Sequence, residues 1–357
     1  MTQNNIYSTQ KIDYHPDKIH ALREGLQPYP VQVHLMPMNG CNMNCNFCSY
    51  RLEGNKNTQL FDRISYIPKD TIVEILDDFA EMGGRACELT GGGEPLLYPH
   101  KELMFDKIIE HGFDYALVTN GTLLTEDFAK VIAPKMMWAR VSIDAGSAET
   151  YEKIRQVKPH NLYKAFDAVR WLRKYSENPE FRLGVGFVVT NDNYKEIFEF
   201  CDKAKQSGAD NVRISAIFHP DGIKYFNKET IELGSEYAKA AEKLNDDKFR
   251  IYNLFDERIA NVELGKQDYK FCGTKEMLCV IGGNCDVYTC CSLAFNKRGL
   301  IGNLREQRFK ELWDSEEKQE FFEKFDASKM CKFMCLYESR NRHINNLLEP
   351  PLHANFL

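Results

Sequence analysis

The sequence of 357 residues contains no long hydrophobic run. No apolar stretch approaches the roughly 18–20 residues that a membrane-spanning helix needs. Residues 1–30 also lack the charged-then-apolar order of a signal peptide. We therefore expect a cytoplasmic protein with no membrane partner.

The sequence also lacks an excess of positive charge. It has 46 Lys and Arg against 52 Asp and Glu, a formal net charge of −6. Nucleic-acid binding usually requires a basic face, so this balance argues against a nucleic-acid partner, although a local basic patch could still form. The 43% hydrophobic content is enough for one large domain with a smaller appendage.

Cysteine, in contrast, is abundant and unevenly placed. Of twelve cysteines, three lie at 41–48, Cys87 and Cys201 stand alone, and seven follow residue 271. In a chain without secretory features, such crowding indicates metal binding rather than disulfides.

The first group has the spacing C-x3-C-x2-C and directly follows the apolar run 31–38. A strand that ends in such a loop can bring three thiolates to one face of a metal cluster. Three soft ligands suit an iron–sulfur cluster with one iron left free. A zinc site would need a fourth Cys or His, and His34 lies inside the strand. Three structural thiols would leave the spacing unexplained.

Six apolar runs alternate with helical patterns, such as 69–82 with Ile72, Ile75, Leu76 and Phe79 at helical spacing. This alternation predicts right-handed crossovers and a parallel sheet. At this length we expect an α/β fold, a partial (β/α)6 TIM-like barrel. The predicted strands are 31–38, 86–90, 115–118, 139–143, 183–189 and 212–218.

Chemistry in barrels occurs at the carboxyl ends of the strands. Each predicted strand here ends in residues suited to binding. These are Cys41 to Cys48, Gly91 to Pro95, Asn120, Ser142 with Asp144, Asn191 and His219. The sequence thus predicts one site at this end of the barrel.

The cysteine spacing with Phe47 before the third cysteine, together with Gly92-Gly93-Glu94-Pro95 after the second strand, resembles the radical S-adenosylmethionine (SAM) superfamily. The resemblance implies that Cys41, Cys45 and Cys48 hold a [4Fe-4S] cluster whose free iron binds SAM. An electron then cleaves SAM to methionine and a 5′-deoxyadenosyl radical. It also implies that the glycine turn hydrogen-bonds the amino group of SAM.

Further SAM contacts are expected at later strand ends. The resemblance implies that Ser142 and Asp144 bind the ribose hydroxyls and carboxylate of SAM; a helix cap or a solvated strand end is the alternative. Arg155 and Arg213 are candidate carboxylate partners, because a guanidinium fork fits a carboxylate, with structural ion pairs as the alternative. Asn120 and Phe47 complete the predicted cofactor contacts.

The C-terminal cysteines resemble Twitch, the shorter form of the SPASM auxiliary-cluster domain. The resemblance implies that Cys272, Cys290, Cys331 and Cys335 hold a second, closed [4Fe-4S] cluster, with Cys291 as a rival to Cys290. We expect one auxiliary cluster, because no cysteine follows Cys335. A four-cysteine zinc site is the alternative.

These features divide the chain into four predicted segments. We expect an N-terminal extension (1–30), the radical SAM core (31–225), a helical linker (226–271) and a small Twitch/SPASM-like domain (272–357). Within the last segment, one helix is predicted over 309–325.

We therefore predict a radical SAM oxidoreductase that abstracts hydrogen from a small polar substrate (a sugar, aminocyclitol or nucleotide-linked molecule) and oxidises it. The resemblance implies a flavodoxin or ferredoxin as electron donor. One alternative is an epimerase with Cys279, Cys285 or Cys291 as hydrogen donor. Others are a peptide maturase, disfavoured because only about 30 residues precede the first strand, an RNA-modifying enzyme, and a zinc-stabilised binding barrel.

Overall fold

The computed structural model describes residues 8–52, 55, 58–217, 219, 221–264, 267–331, 335–349 and 352. Its strands are β1 Gln32–Leu35, β2 Ala86–Leu89, β3 Asp114–Thr119, β4 Trp138–Ser142, β5 Arg182–Val189, β6 Asn211–Ala216, β7 Arg250–Asn253, β8 Leu278–Ile281, β9 Asp286–Tyr288 and β10 Leu300–Asn303. Its α-helices are α1 Pro16–Arg23, α2 Lys69–Glu81, α3 Lys101–Glu110, α4 Glu126–Ile132, α5 Ala148–Arg155, α6 Asn161–Tyr175, α7 Ile197–Gln206, α8 Lys228–Ala241, α9 Phe255–Leu264, α10 Thr274–Met277, α11 Phe309–Asp314, α12 Glu316–Lys324, α13 Ala327–Met330 and α14 Glu338–Leu348. Within these residues, no helix has the length and apolar character needed to cross a bilayer.

The strands form one sheet in the order β10-β9-β8-β1-β2-β3-β4-β5-β6-β7. Strands β1 to β7 are parallel, β8 pairs in parallel with β1, and β9 and β10 are antiparallel additions. Because β7 and β10 are its edges, the sheet stays open, as the partial barrel prediction requires. The α/β fold class is confirmed. The predicted end of the sixth strand, Phe218, lies outside the described residues.

The two faces of the sheet differ in chemistry because side chains alternate along a strand. Val33 and Leu35 belong to the main core, which also contains Phe79 and the other predicted apolar positions of α2. The alternate positions face the side opposite the core, here called the inner face. Its polar and small residues include Gln32, His34, Glu88, Arg140, Ser142, Gly184, Gly186 and Arg213.

Three features of the second half differ from the sequence expectation. The predicted helical linker contains β7, which hydrogen-bonds to β6, and the C-terminal segment adds β8 directly to β1. Both strands have only four residues, too few to give a clear periodicity. The single helix predicted over 309–325 is two helices, because Ser315 ends α11 and its side chain caps α12 by accepting from the Lys318 amide.

Candidate functional site

The loop that carries Cys41, Cys45 and Cys48 follows β1 and is attached to the end of α5. The amides of Asn44 and Asn46 donate to the carbonyls of Arg155 (3.2 Å) and Ile154 (3.0 Å). The last carbonyls of a helix have no partner within the helix, so the loop satisfies them.

The three thiols of this loop are half-buried and act on one another electrostatically. The pKa of Cys41 is raised to about 11, chiefly by burial, with Glu94 and the nearby Cys45 acting in the same direction. Burial and Cys45 likewise raise the pKa of Cys48. The raised pKa values mean that burial disfavours the thiolate form. Bound cationic iron would reverse this effect, since a coordinating thiol is deprotonated. The donor set therefore fits a cluster with three thiolate ligands.

The glycine turn after β2 is packed against this cysteine loop. The amides of Gly93 and Glu94 donate to the carbonyls of Met38 (3.0 Å) and Gly40 (2.9 Å). A Cβ on Gly93 would lie 1.9 Å from the Gly40 carbonyl oxygen. Glycine at this position therefore allows the turn to pack closely against the backbone of the cysteine loop. The sequence analysis had explained the same glycines by the close approach of a ligand.

Glu94 and Asn120 join the turn to the end of β3. The buried Glu94 carboxylate accepts from the Asn120 amide (2.8 Å) and the Thr119 hydroxyl (2.5 Å). Burial raises the pKa of Glu94, and these bonds oppose that shift. The Asn120 side chain in turn donates to Asn42 Oδ1 at 2.8 Å. Both predicted site residues thus support the shape of the cysteine loop.

Asp144 and Arg155, predicted separately as SAM contacts, form a buried ion pair. Asp144 also accepts from the Val188 amide at 2.6 Å. The Arg155 guanidinium donates to Cys45 Sγ at 3.3 Å and lies 5.3 Å from the centre of the Phe47 ring. Burial would lower the pKa of Arg155, but Cys45 and Asp144 raise it above its ordinary value. The pair places a permanent positive charge beside a cysteine of the loop.

Ser142 and Arg213 lie on the inner face. In the sheet register both are opposite Gly186 of β5, from β4 and β6 respectively. Arg213 also lowers the pKa of Asp144, against the larger effect of burial. The structure thus places Asp144 and Arg155 against the cysteine loop, and Ser142 and Arg213 beside Gly186 on the inner face.

The four C-terminal cysteines line one cavity. Cys272 precedes α10, Cys290 follows β9, and Cys331 and Cys335 lie between α13 and α14. Burial raises the pKa of Cys272 to about 11 and that of Cys331 to about 12, and neighbouring thiols add to both shifts. Thr289 also lines the cavity, and its buried Oγ1 has no hydrogen-bond partner among the described residues.

This cavity fits an iron–sulfur cluster by its chemistry. Four thiols supply the complete set of ligands, and an unpartnered hydroxyl could donate to a cluster sulfur. Among the described residues, no three His, Cys, Asp or Glu side chains are arranged to hold a single metal ion.

The three candidate hydrogen donors occupy different environments. Cys279 is fully buried on the core side of β8, close to Cys87, and Cys285 is fully buried in the turn after β8. Their burial argues against contact with a substrate. Cys291 is half-buried, and its Sγ lies 3.2 Å from the Tyr337 hydroxyl.

Two tyrosines near the cysteine groups were missed in the sequence interpretation. Tyr50 packs against the same buried cluster as Cys291. Burial raises the pKa of Tyr50, and Cys291, Cys48 and Cys290 act in the same direction, so thiols of both cysteine groups act on it. Tyr337 lines the C-terminal cavity. A shared pattern could have identified them: each follows a candidate ligand by two positions, in Cys48-Ser49-Tyr50 and Cys335-Leu336-Tyr337.

Comparison with known proteins agrees with this geometry. The chain matches the family model of the radical SAM superfamily over residues 35–204 and that of SPASM, an iron-sulfur cluster-binding domain, over residues 272–336. It therefore belongs to the radical SAM superfamily and carries a C-terminal SPASM domain. Membership implies SAM and iron–sulfur clusters as cofactors, as predicted.

Two curated relatives illustrate the range of the family. A probable GTP 3′,8-cyclase of Sulfolobus acidocaldarius is 28% identical over 58% of this chain and 62% of its own length. An S-adenosylmethionine-dependent nucleotide dehydratase of Flammeovirga pacifica is 28% identical over 46% of this chain and 56% of its own. Each match thus spans less than two thirds of the relative.

Among solved structures, Streptococcus suis SuiB bound to the precursor peptide SuiA superposes with a TM-score of 0.63. The identity is 15%, and the superposition covers 94% of this chain and 77% of that one. This likeness shows a shared fold.

Proposed function

We propose that the protein is a radical SAM oxidoreductase that oxidises a small polar substrate. Its SAM cluster would be held by Cys41, Cys45 and Cys48, and its auxiliary [4Fe-4S] cluster by Cys272, Cys290, Cys331 and Cys335. When bound, these cofactors supply hydrogen-atom abstraction at one site and an electron acceptor at the other.

The position of Tyr50 carries this proposal. Burial raises the pKa of its hydroxyl, and Cys291 and Cys290 of the second group and Cys48 of the first act in the same direction. Its ring stacks on Phe61 (5.4 Å between centroids) and meets Phe295 edge-on (5.6 Å). The aromatic cluster of Tyr50, Phe61 and Phe295 therefore connects the two cysteine groups. A substrate bound beside Tyr50 would lie within reach of both clusters.

At the SAM end, residues of this chain set the charge beside Cys45 and hold the cysteine loop in place. Arg155, held by Asp144, compensates negative charge at Cys45. Glu94 and Asn120 maintain the loop, and Ser142 and Arg213 are the inner-face residues that would contact polar groups of SAM. Phe47 covers the guanidinium of Arg155.

The inner face supports a small polar substrate. His34 Nε2 lies 3.2 Å from Glu88 Oε2 on the neighbouring strand. The Arg140 guanidinium lies 5.3 Å from the Trp138 ring. Such groups suit hydroxyl, phosphate or carboxylate functions better than an apolar substrate. The two curated relatives are named for acting on GTP and on nucleotides, which favours a nucleotide-linked molecule.

Oxidation of an alcohol carbon removes one hydrogen atom, one proton and one electron in total. When bound, SAM would supply the hydrogen-atom abstraction, and a cluster held by Cys272, Cys290, Cys331 and Cys335 would supply the electron acceptor. The proton needs a base, and His34 is suited to this role because burial lowers its pKa and keeps the imidazole neutral. Gln32, Glu88 and, from α14, Arg340 are the polar and charged groups facing it.

Epimerisation is the second candidate, and the environment of Cys291 favours it. This thiol is partly accessible, contacts Tyr337, and is close enough to Glu88 for that carboxylate to raise its pKa, after the larger effect of burial. It could return a hydrogen atom to a substrate radical. In both cases we propose a cytoplasmic enzyme reduced by a flavodoxin or ferredoxin, since free thiols stay reduced in that compartment.

The cluster assignment is tested in anaerobically reconstituted protein with dithionite as reductant. The C41A/C45A/C48A variant should form no 5′-deoxyadenosine from SAM but retain about four irons per chain. The C87A/C201A variant is the control, because these two cysteines lie outside both groups. SAM cleavage by the triple variant, or zinc in place of the remaining iron, would refute the assignment.

The reaction outcome is tested in heavy water with a panel of nucleotides and nucleotide-linked sugars. Oxidation should give a product two mass units lighter than the substrate. Thiol protons exchange with solvent, so epimerisation would leave one non-exchangeable deuterium at the inverted carbon. Such incorporation, lost in a Cys291→Ser variant, would establish the epimerase instead.

A further inference from the structure

Three charged side chains are buried beside the C-terminal cysteine cavity. Lys275, Glu276 and Lys318 are each at most 2% exposed. Lys275 and Glu276 form an ion pair, and Glu276 Oε2 has no hydrogen-bond partner among the described residues. The ammonium groups of Lys275 and Lys318 lie 4.1 and 4.6 Å from the centre of the Phe322 ring. Burying such charges costs folding free energy that an ion pair often fails to recover, so their burial needs an explanation other than stability.

Of these three residues, only Lys275 lines the cavity. Its backbone amide hydrogen-bonds Cys272, and both this bond and the ammonium charge lower the pKa of Cys272, against the larger effect of burial and that of Cys335. Charged groups elsewhere in the chain each shift the pKa of one other thiol. Arg298 lowers that of Cys331, whereas Glu338 raises and Arg258 lowers that of Cys335. Lys275 therefore combines contact with a candidate ligand, burial and positive charge.

We propose that the Lys275–Glu276 pair fixes the Lys275 ammonium against the auxiliary cluster and thereby raises the reduction potential of that cluster. This inference rests on the proposed function, in which the four cysteines hold a cluster that accepts the substrate's electron. Reduction adds one negative charge to the cluster, and a nearby cation in a poorly polarisable interior stabilises the reduced form. Glu276, the more distant member, holds the ammonium in place and partly offsets its field.

The test uses the C41A/C45A/C48A background, in which one cluster remains, and measures its midpoint potential by a redox titration followed by electron paramagnetic resonance. The variant K275M/E276Q removes both charges without leaving either unpaired. We expect its equilibrium constant for reduction to fall at least tenfold, which equals 59 mV for a one-electron couple. E276Q alone keeps the cation and removes the opposing charge, so its potential should shift in the positive direction.

Lys318→Met is the matched control, because Lys318 lies on the same aromatic ring but does not line the cavity. Its equilibrium constant should change less than threefold. An unchanged potential in K275M/E276Q, or an equal shift in Lys318→Met, would overturn the inference while leaving the proposed function intact. A background protein without iron would overturn both, and iron analysis distinguishes the two failures.

Discussion

Replacing Asp144 by Ala would test whether its buried pair with Arg155 holds the cysteine loop on the barrel. Removing one partner of a buried ion pair costs about 3–5 kcal/mol, because the other charge remains without compensation. The substitution also leaves the Val188 amide without its acceptor, and Asp144 has a φ of 63°, which is less favourable for Ala. We therefore expect a loss near the upper end, about 5 kcal/mol.

Asp144→Asn is the matched control. Asn tolerates a positive φ and still accepts from the Val188 amide, so that only the negative charge is lost. We expect roughly half the destabilisation of Asp144→Ala. The measurement is urea unfolding of the reduced apoprotein under anaerobic conditions.

A second readout is specific to the loop. Because the Arg155 guanidinium contacts Cys45 Sγ at 3.3 Å, Asp144→Ala should also lower iron incorporation at the first cysteine group. An Asp144→Ala variant within about 1 kcal/mol of the wild type, or an Asp144→Asn variant as stable as the wild type, would refute the argument that the charge pair is responsible.

Two further predictions concern packing and pH. Gly93→Ala should destabilise the protein by about 3 kcal/mol and impair cluster binding, because its Cβ would lie 1.9 Å from the Gly40 carbonyl oxygen. Gly186→Ala is the control, because no heavy atom lies closer than 3.5 Å to its added Cβ. This control should stay within about 1 kcal/mol of the wild type in the same urea assay. Burial lowers the pKa of Lys318 to about 8 from 10.5, so the unfolded chain binds more protons between these values and stability should rise with pH across pH 8–10.5. Lys318→Met should remove this rise and Lys324→Met, on the exposed side of the helix, should keep it; equal pH profiles of Lys318→Met and wild type would contradict the assignment.

Local patterns in the sequence predicted much of the barrel and identified the two groups of candidate ligands. The alternation of apolar runs with helical patterns predicted β1 to β6, since each run is followed by a helix in the regular β/α order. The apolar positions of α2 were correct because they recur at helical spacing. The spacing of Cys41, Cys45 and Cys48 needs only one loop to bring them together, so the cysteine group could be recognised without knowledge of the fold.

Tertiary structure decided the features that depend on contacts between distant segments. Pairing of β8 with β1 brings residues 278–281 beside 32–35, and no local pattern encodes such a register. The pairing of Asp144 with Arg155 depends on how α5 returns to the end of β4. A sequence lists two charged residues, whereas only the fold shows that they neutralise each other.

The relation between the two cysteine groups was also decided by tertiary structure. Tyr50 follows the first group by two positions, yet its proximity to Cys290 and Cys291 results from the way the C-terminal strands extend the sheet. Lys275 is likewise an ordinary lysine in the sequence, and only folding buries it beside Cys272. The sequence alone thus determined which residues could bind clusters, because ligand spacing is local. The fold determined what surrounds them, because burial and electrostatic contact depend on the whole chain.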